Sequence, residues 1–155
     1  MKSTLSITHN CNLGCTYFYA GKKFKQDVSL ESAKRCVDFS FDITPRGESI
    51  VFGLFGGKPL LRFDLIRQVV AYIHERSQQQ SHRFNLIITT NSTLITEDIV
   101  AFIKQIKTGL FFSIDGPKQT HDGVRHYRNG KSSFNKVVNN LKLAADTLTK
   151  RPSPR

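Results

Sequence analysis

Short apolar runs at residues 4–8, 50–55, 84–90 and 110–114 alternate with longer stretches in which apolar side chains recur every three or four residues. The short runs end in polar or glycine-containing sequence and read as strands, and the stretches between them read as amphipathic helices. The first helix begins at about Leu30 and runs to Phe41 with Ser29 as its N-cap. It groups Cys36 with Leu30, Ala33 and Val37 on neighbouring turns, which predicts a buried free thiol. The second carries Leu65, Ile66, Val69, Val70 and Ile73. The third starts after Thr96, with Glu97 and Asp98 in its first turn, where carboxylates favour the helix dipole. The fourth shows Phe134, Val137, Val138, Leu141 and Ala145 on one face. The closing Arg-Pro-Ser-Pro-Arg cannot be regular helix, so residues 1–150 read as one domain and 151–155 as a frayed tail.

A strand-helix rhythm repeated four times predicts an α/β fold with a parallel sheet, and places any chemistry on the loops at the C-terminal ends of the strands. The polar motifs sit there. Cys11, Gly56, Asn91 and Asp115 each follow a different strand, so four loops can converge on one ligand.

Composition narrows the classes. A chain of 155 residues, 39% of them hydrophobic, can bury roughly 70% of its unfolded surface in one core. No apolar run approaches the roughly 18 residues of a membrane span, and the first ten residues lack the apolar centre of a signal peptide. The expectation is a cytoplasmic protein with no membrane role. Twenty-three Lys and Arg against 12 Asp and Glu give a net charge of +11. The basic residues are spread over nearly every segment, which fits a solvated surface better than a face that reads nucleic-acid sequence.

Three cysteines, an odd number, argue against a disulfide framework. Cys11 and Cys15, four apart on a loop just past a strand, can supply thiolates to one metal centre. Judged by this pair alone, a metal site and two unconnected thiols both stand open. Gly56-Gly57-Lys58-Pro59 invites a phosphate-loop reading, but Phe52 and Pro59 occupy positions where that loop needs glycine and a hydroxyl residue. The glycine pair then either admits a ligand close to the backbone or makes a tight turn. His121-Asp122 has no companion ligand spacing and reads as a loop-stabilising pair.

Taken in order, Cys11-Asn-Leu-Gly-Cys15-Thr-Tyr17, Phe55-Gly-Gly-Lys-Pro-Leu-Leu61, Thr89-Thr-Asn-Ser-Thr-Leu94 and Ser113-Ile-Asp-Gly-Pro-Lys118 with His121, Asp122 and Arg125 resemble the radical S-adenosylmethionine enzymes. The last segment, with Gly130-Lys-Ser-Ser-Phe134 and a helix after it, is similar to the SPASM-type peptide and protein maturases, anaerobic sulfatase-maturating enzymes among them. The resemblance implies a partial (βα)6 barrel of TIM-like form, of which this chain holds a truncated part. It implies a [4Fe-4S] cluster on three cysteines of the first loop, S-adenosylmethionine bound to the open iron, and a 5′-deoxyadenosyl radical acting on a peptide or protein substrate. By position it makes Cys11 and Cys15 metal ligands and sets Tyr17 beside the adenine. Gly56, Gly57 and Lys58 would meet the methionine amino group, and Asn91, Ser113 and Asp115 would lie near the cofactor or substrate edge. It assigns no catalytic side chain.

The chain departs from that pattern at three places. Phe18 stands where the third thiolate belongs, and a phenyl ring cannot donate to iron. Lys58 stands where the family has glutamate, setting cation against the cofactor's ammonium unless the long side chain swings away. Ser92 follows Asn91 in place of glycine. The expectation is a degenerate fragment with impaired or absent catalysis and an open sheet edge prone to self-association. Two other readings use the same scaffold: a zinc or small iron site on His9, Cys11 and Cys15, and a basic binding module.

Overall fold

The computed structural model describes residues 1–17 and 24–149. Four strands, β1 (Lys2–Thr8), β2 (Ser49–Gly56), β3 (Arg83–Thr90) and β4 (Gly109–Phe112), form one sheet in the order β1-β2-β3-β4. Every pairing is parallel. The helices are α1 (Leu30–Asp42), α2 (Phe63–Gln80), α3 (Glu97–Gln105), α4 (Lys118–Val124) and α5 (Phe134–Thr149), with a 3-10 turn over Pro59–Arg62.

Strand register explains the layering. Leu5 pairs with Leu54, Leu54 with Ile88 and Ile88 with Leu110, so one apolar row crosses all four strands. Side chains alternate faces along a strand, and this row meets the apolar lines of α1, α2, α3 and α5 in a single core. The row one residue earlier, Thr4, Gly53, Ile87 and Gly109, belongs to the opposite face and is small or polar but for Ile87. Strands laid down in chain order with helices over one face make a parallel βα sheet, as the four-fold rhythm predicts, and this is the arrangement that the implied partial barrel requires.

Local chemistry sets the helix ends. The Ser29 hydroxyl accepts from the Ser32 N–H at 3.1 Å, and the Thr96 hydroxyl from the Ile99 N–H at 3.3 Å. Asp122 caps from a distance: its carboxylate accepts the Ser133 and Phe134 N–H groups at 3.0 and 3.1 Å and closes the start of α5. This is the loop-stabilising role expected of that residue. His121 beside it is wholly buried, with Nε2 3.0 Å from the Ser133 hydroxyl.

Three expectations are corrected. Cys36 is exposed, because the buried line of α1 follows Ala33, Val37, Ser40 and Phe41 and passes just beside it. The buried line of α5 is Val137, Asn140 and Ala144, not one ending at Ala145, because the Asn140 side chain turns inward to donate to the Ser92 carbonyl at 2.6 Å. The short helix α4 has no counterpart in the apolar pattern, since Lys118-Gln-Thr-His-Asp-Gly-Val carries no repeating apolar face. Among the described residues no helix is long and apolar enough to cross a membrane.

The Cys36 finding is directly checkable. An aromatic disulfide reagent should label Cys36 in the native protein, while Cys11, 4% exposed, should react only on unfolding. Replacing Cys36 with serine should remove the fast phase and shift stability by less than about 0.5 kcal/mol. Cys15 is partly exposed, so the comparison is made in a Cys15→Ser background, where a fast phase that survives Cys36→Ser would contradict this placement.

Candidate functional site

The C-terminal ends of the four strands enclose a cleft of about 120 Å³. Cys11, Cys15 and Tyr17 line it from the loop after β1, and Gly56 and Gly57 from the end of β2. Thr89, Thr90 and Asn91 contribute from the end of β3, and Ser113 and Arg125 from the region after β4. All the site residues anticipated from sequence meet there except Lys58 and Asp115, which stand behind and beside its wall.

Backbone contacts draw the loops together. The Gly57 N–H donates to the Thr8 carbonyl at 2.7 Å. A Cβ on Gly57 would lie 2.5 Å from both the His9 and Asn10 carbonyl oxygens, and one on Gly56, where φ is 124°, would lie 2.4 Å from Thr8 O. The glycine pair is therefore required first by the close packing of the β1 and β2 loops. The cysteine loop is tied in turn to the segment after α4: Gly14 N–H donates to His126 O at 2.8 Å and Thr16 N–H to Val124 O at 3.1 Å.

Lys58 does swing away from the cleft, and it turns inward. It is wholly buried, and its ammonium donates to Thr90 Oγ1 at 2.6 Å and to Asn91 Oδ1. Among the described residues no carboxylate pairs with it. Burial pushes its pKa down to about 7, with the nearby Cys11 working weakly the other way. Asn91 passes the contact on. Its Oδ1 also accepts from Thr93 N–H at 3.2 Å and Thr93 Oγ1 at 2.9 Å, while its Nδ2 donates to Asn12 Oδ1 at 3.0 Å and faces Cys11 Sγ at 3.7 Å. Asn12 Nδ2 closes the ring on Thr93 Oγ1 at 2.8 Å.

A second cluster guards the mouth. The Tyr17 hydroxyl donates to Asp115 Oδ2, Arg125 Nε donates to the same oxygen at 2.7 Å, and the Arg125 guanidinium lies 5.1 Å from the Tyr17 ring centroid. Burial alone would raise the Asp115 carboxyl, but hydrogen bonds from Tyr17 and Arg125 and the arginine charge hold it below the usual carboxylate range. Desolvation and the bond to Asp115 push the Tyr17 phenol up to about 12. His121 Nδ1 accepts the Asp115 N–H at 3.3 Å, and burial keeps its imidazole below its ordinary value, hence neutral and able to accept.

Asn12, Thr90, Thr93 and Arg125 had been given no role from sequence. The Thr89-Thr-Asn-Ser-Thr run held the available signal, a dense polar cluster where a buried strand ends.

Two thiols line the cleft, and Phe18, at the third position of the cysteine pattern, lies outside the described residues. Its phenyl ring has no donor pair to offer a metal. Among the described residues no three His, Cys, Asp or Glu side chains gather as a metal site. His9 stacks on Phe24 at 4.7 Å, so a His9, Cys11 and Cys15 zinc site is not assembled. The residues present do not fit a cubane cluster held by three protein thiolates, nor a carboxylate that would receive an ammonium at position 58.

A parallel βα wall with a cysteine-lined cleft at its strand ends defines the class. The chain matches the Radical SAM superfamily over residues 5–150, and it belongs to that superfamily. It is 36% identical over 129 residues to an uncharacterized protein of Methanocaldococcus jannaschii, covering 83% of this chain and 43% of that one. It is 31% identical over 142 residues to the cysteine-type anaerobic sulfatase-maturating enzyme of Clostridium novyi, covering 86% of this chain and 37% of the enzyme. The chain thus spans less than half the length of these relatives. A solved structure of native anSMEcpe with bound AdoMet and Cp18Cys peptide shares the fold, with a TM-score of 0.84 and 22% identity over 94% of this chain and 40% of that one.

Two expected outcomes follow from this geometry. Ser92 sits at φ 65° and is wholly buried, and its Oγ finds no partner among the described residues. Ser92→Gly should therefore stabilise the protein by about 1 kcal/mol in urea unfolding, and a loss of stability would contradict the strain. Lys58 yields a pH dependence. Unfolded, its amine titrates near 10.5, whereas folded it titrates near 7, so between those values the unfolded chain holds a proton that the folded chain releases. Stability should accordingly rise with pH across that window, by roughly 3–5 kcal/mol in all, and be lost as pH falls through 7. Lys58→Met should flatten the slope. Parallel slopes for both proteins would contradict the burial.

Proposed function

We propose that this chain is a radical S-adenosylmethionine core of the peptide- and protein-maturase type whose cluster chemistry is impaired, with the strand-end cleft kept as a binding site for an adenosyl compound. The observation that carries this reading is the cleft itself. It unites two thiols, a half-exposed tyrosine ring and polar strand-end groups at the convergence of four loops, while the sequence has Lys58 and Phe18 at the positions where the family resemblance expects a carboxylate and a third thiolate.

The substrate side rests on relatives. A cysteine-type and a serine-type anaerobic sulfatase-maturating enzyme are among them, and a bound peptide accompanies AdoMet in a solved neighbour, which supports a peptide or protein partner. We place the protein in the cytoplasm and assign it no sequence-reading role on nucleic acid, since its positive charge is spread rather than gathered on one helix. β4 pairs only with β3 among the described residues, and Phe111 beside that edge is 59% exposed, which supports edge-to-edge self-association at high concentration.

Anaerobic reconstitution with iron and sulfide tests the proposal. Wild type should retain far fewer than about four irons per chain, with a spectrum indifferent to S-adenosylmethionine, and Phe18→Cys should raise the iron retained. A wild-type protein holding about four irons, with a spectrum that shifts on adding the cofactor, would overturn it.

A further inference from the structure

The charge of the cleft wall has a consequence for what the cleft can hold. Among the described residues no acidic side chain lines it. Among the described residues that line it the one charged side chain, Arg125, is paired with Asp115. Behind the wall formed by Gly57, Thr90 and Asn91 lies a second cation, the Lys58 ammonium, held by two neutral oxygens and by no carboxylate among the described residues. Water does not reach it, since Lys58 is wholly buried. A charge in such a place is screened far less than one at the surface, and it acts through the wall on whatever enters the cleft.

We propose that Lys58 makes the cleft select against cationic ligands: of two adenosyl compounds alike except for the sulfonium charge, it takes the neutral thioether. This rests on the reading of the cleft as an adenosyl site, and it names the ligand's charge class. The thioether S-adenosylhomocysteine lacks the fixed positive charge that S-adenosylmethionine would bring against an ammonium paired with no carboxylate among the described residues. The acceptors nearest the ammonium are already engaged. Asn91 Oδ1 receives Lys58, Thr93 N–H and Thr93 Oγ1, and Thr90 Oγ1 receives Lys58 and the Ser92 N–H at 3.1 Å.

Calorimetric titration of the full chain with the two compounds, below neutral pH so that the ammonium form prevails, tests the inference. S-adenosylhomocysteine should bind at least about tenfold tighter than S-adenosylmethionine. Lys58→Met should bring the ratio close to one. Lys58→Gln, which removes the charge but keeps a donor for Thr90 and Asn91, should do the same, and it keeps the test decisive if the methionine variant fails to fold. Equal affinities in wild type, or tighter binding of the sulfonium compound, would overturn the inference while leaving the cleft an adenosyl site. A preference unchanged in both variants would remove Lys58 as its source. Failure of wild type to bind either compound would overturn the adenosyl-site reading, and this inference with it.

Discussion

The Lys58 ammonium, buried between the ends of β2 and β3 and held only by Thr90 Oγ1 and Asn91 Oδ1, is the constraint on which the strand-end architecture turns. Below about pH 7, where Lys58 keeps its proton, a buried charge without hydrogen bonds is strongly unfavourable, so both acceptors hold it in place. Asn91 is thereby oriented, and through its amide so are Asn12 and the Cys11 edge of the first loop. Ser92 follows in a left-handed conformation that delivers its carbonyl to Asn140 on α5. One side chain thus connects two strand ends, the cysteine loop and the last described helix.

The glycine pair works from the other side of the same junction. With no Cβ at positions 56 and 57, the end of β2 can press against Thr8, His9 and Asn10, and that contact sets where the cysteine loop departs from the sheet. The family resemblance assigns these glycines to a cofactor. Their immediate physical need is backbone approach, and a cleft wall is what that approach produces. Position 58 lies at the same junction, where lysine turns its charge into the protein toward Thr90 and Asn91.

Much of this was legible beforehand, and the exceptions have physical reasons. The four strands announce themselves as short apolar runs, since each turns alternate apolar side chains toward the helices. The Ser29 and Thr96 caps are readable because a capping hydroxyl acts locally. Cys36 was misplaced because an i, i+3 pattern fixes a helix face only to within a residue or so, and α1 buries a narrow line. Asn140 and Lys58 could not be read as interior at all. Their burial depends on partners 48 and 32 residues away, which no local pattern encodes. The convergence of Cys11, Gly56, Asn91 and Ser113 was legible for the opposite reason, because strand order alone brings successive strand ends to one edge.

The junction can be weighed without any ligand. A double-mutant cycle of Lys58→Met and Asn91→Ala, read as unfolding free energy in urea below pH 7, isolates the coupling between the ammonium and the amide oxygen. The account predicts a favourable coupling of roughly 1.5–3 kcal/mol, the range for a hydrogen bond to a charged group, so that the double mutant loses much less than the two single mutants together. Additive losses, with a coupling within about 0.3 kcal/mol of zero, would mean that Lys58 does not hold Asn91 and would contradict the central claim.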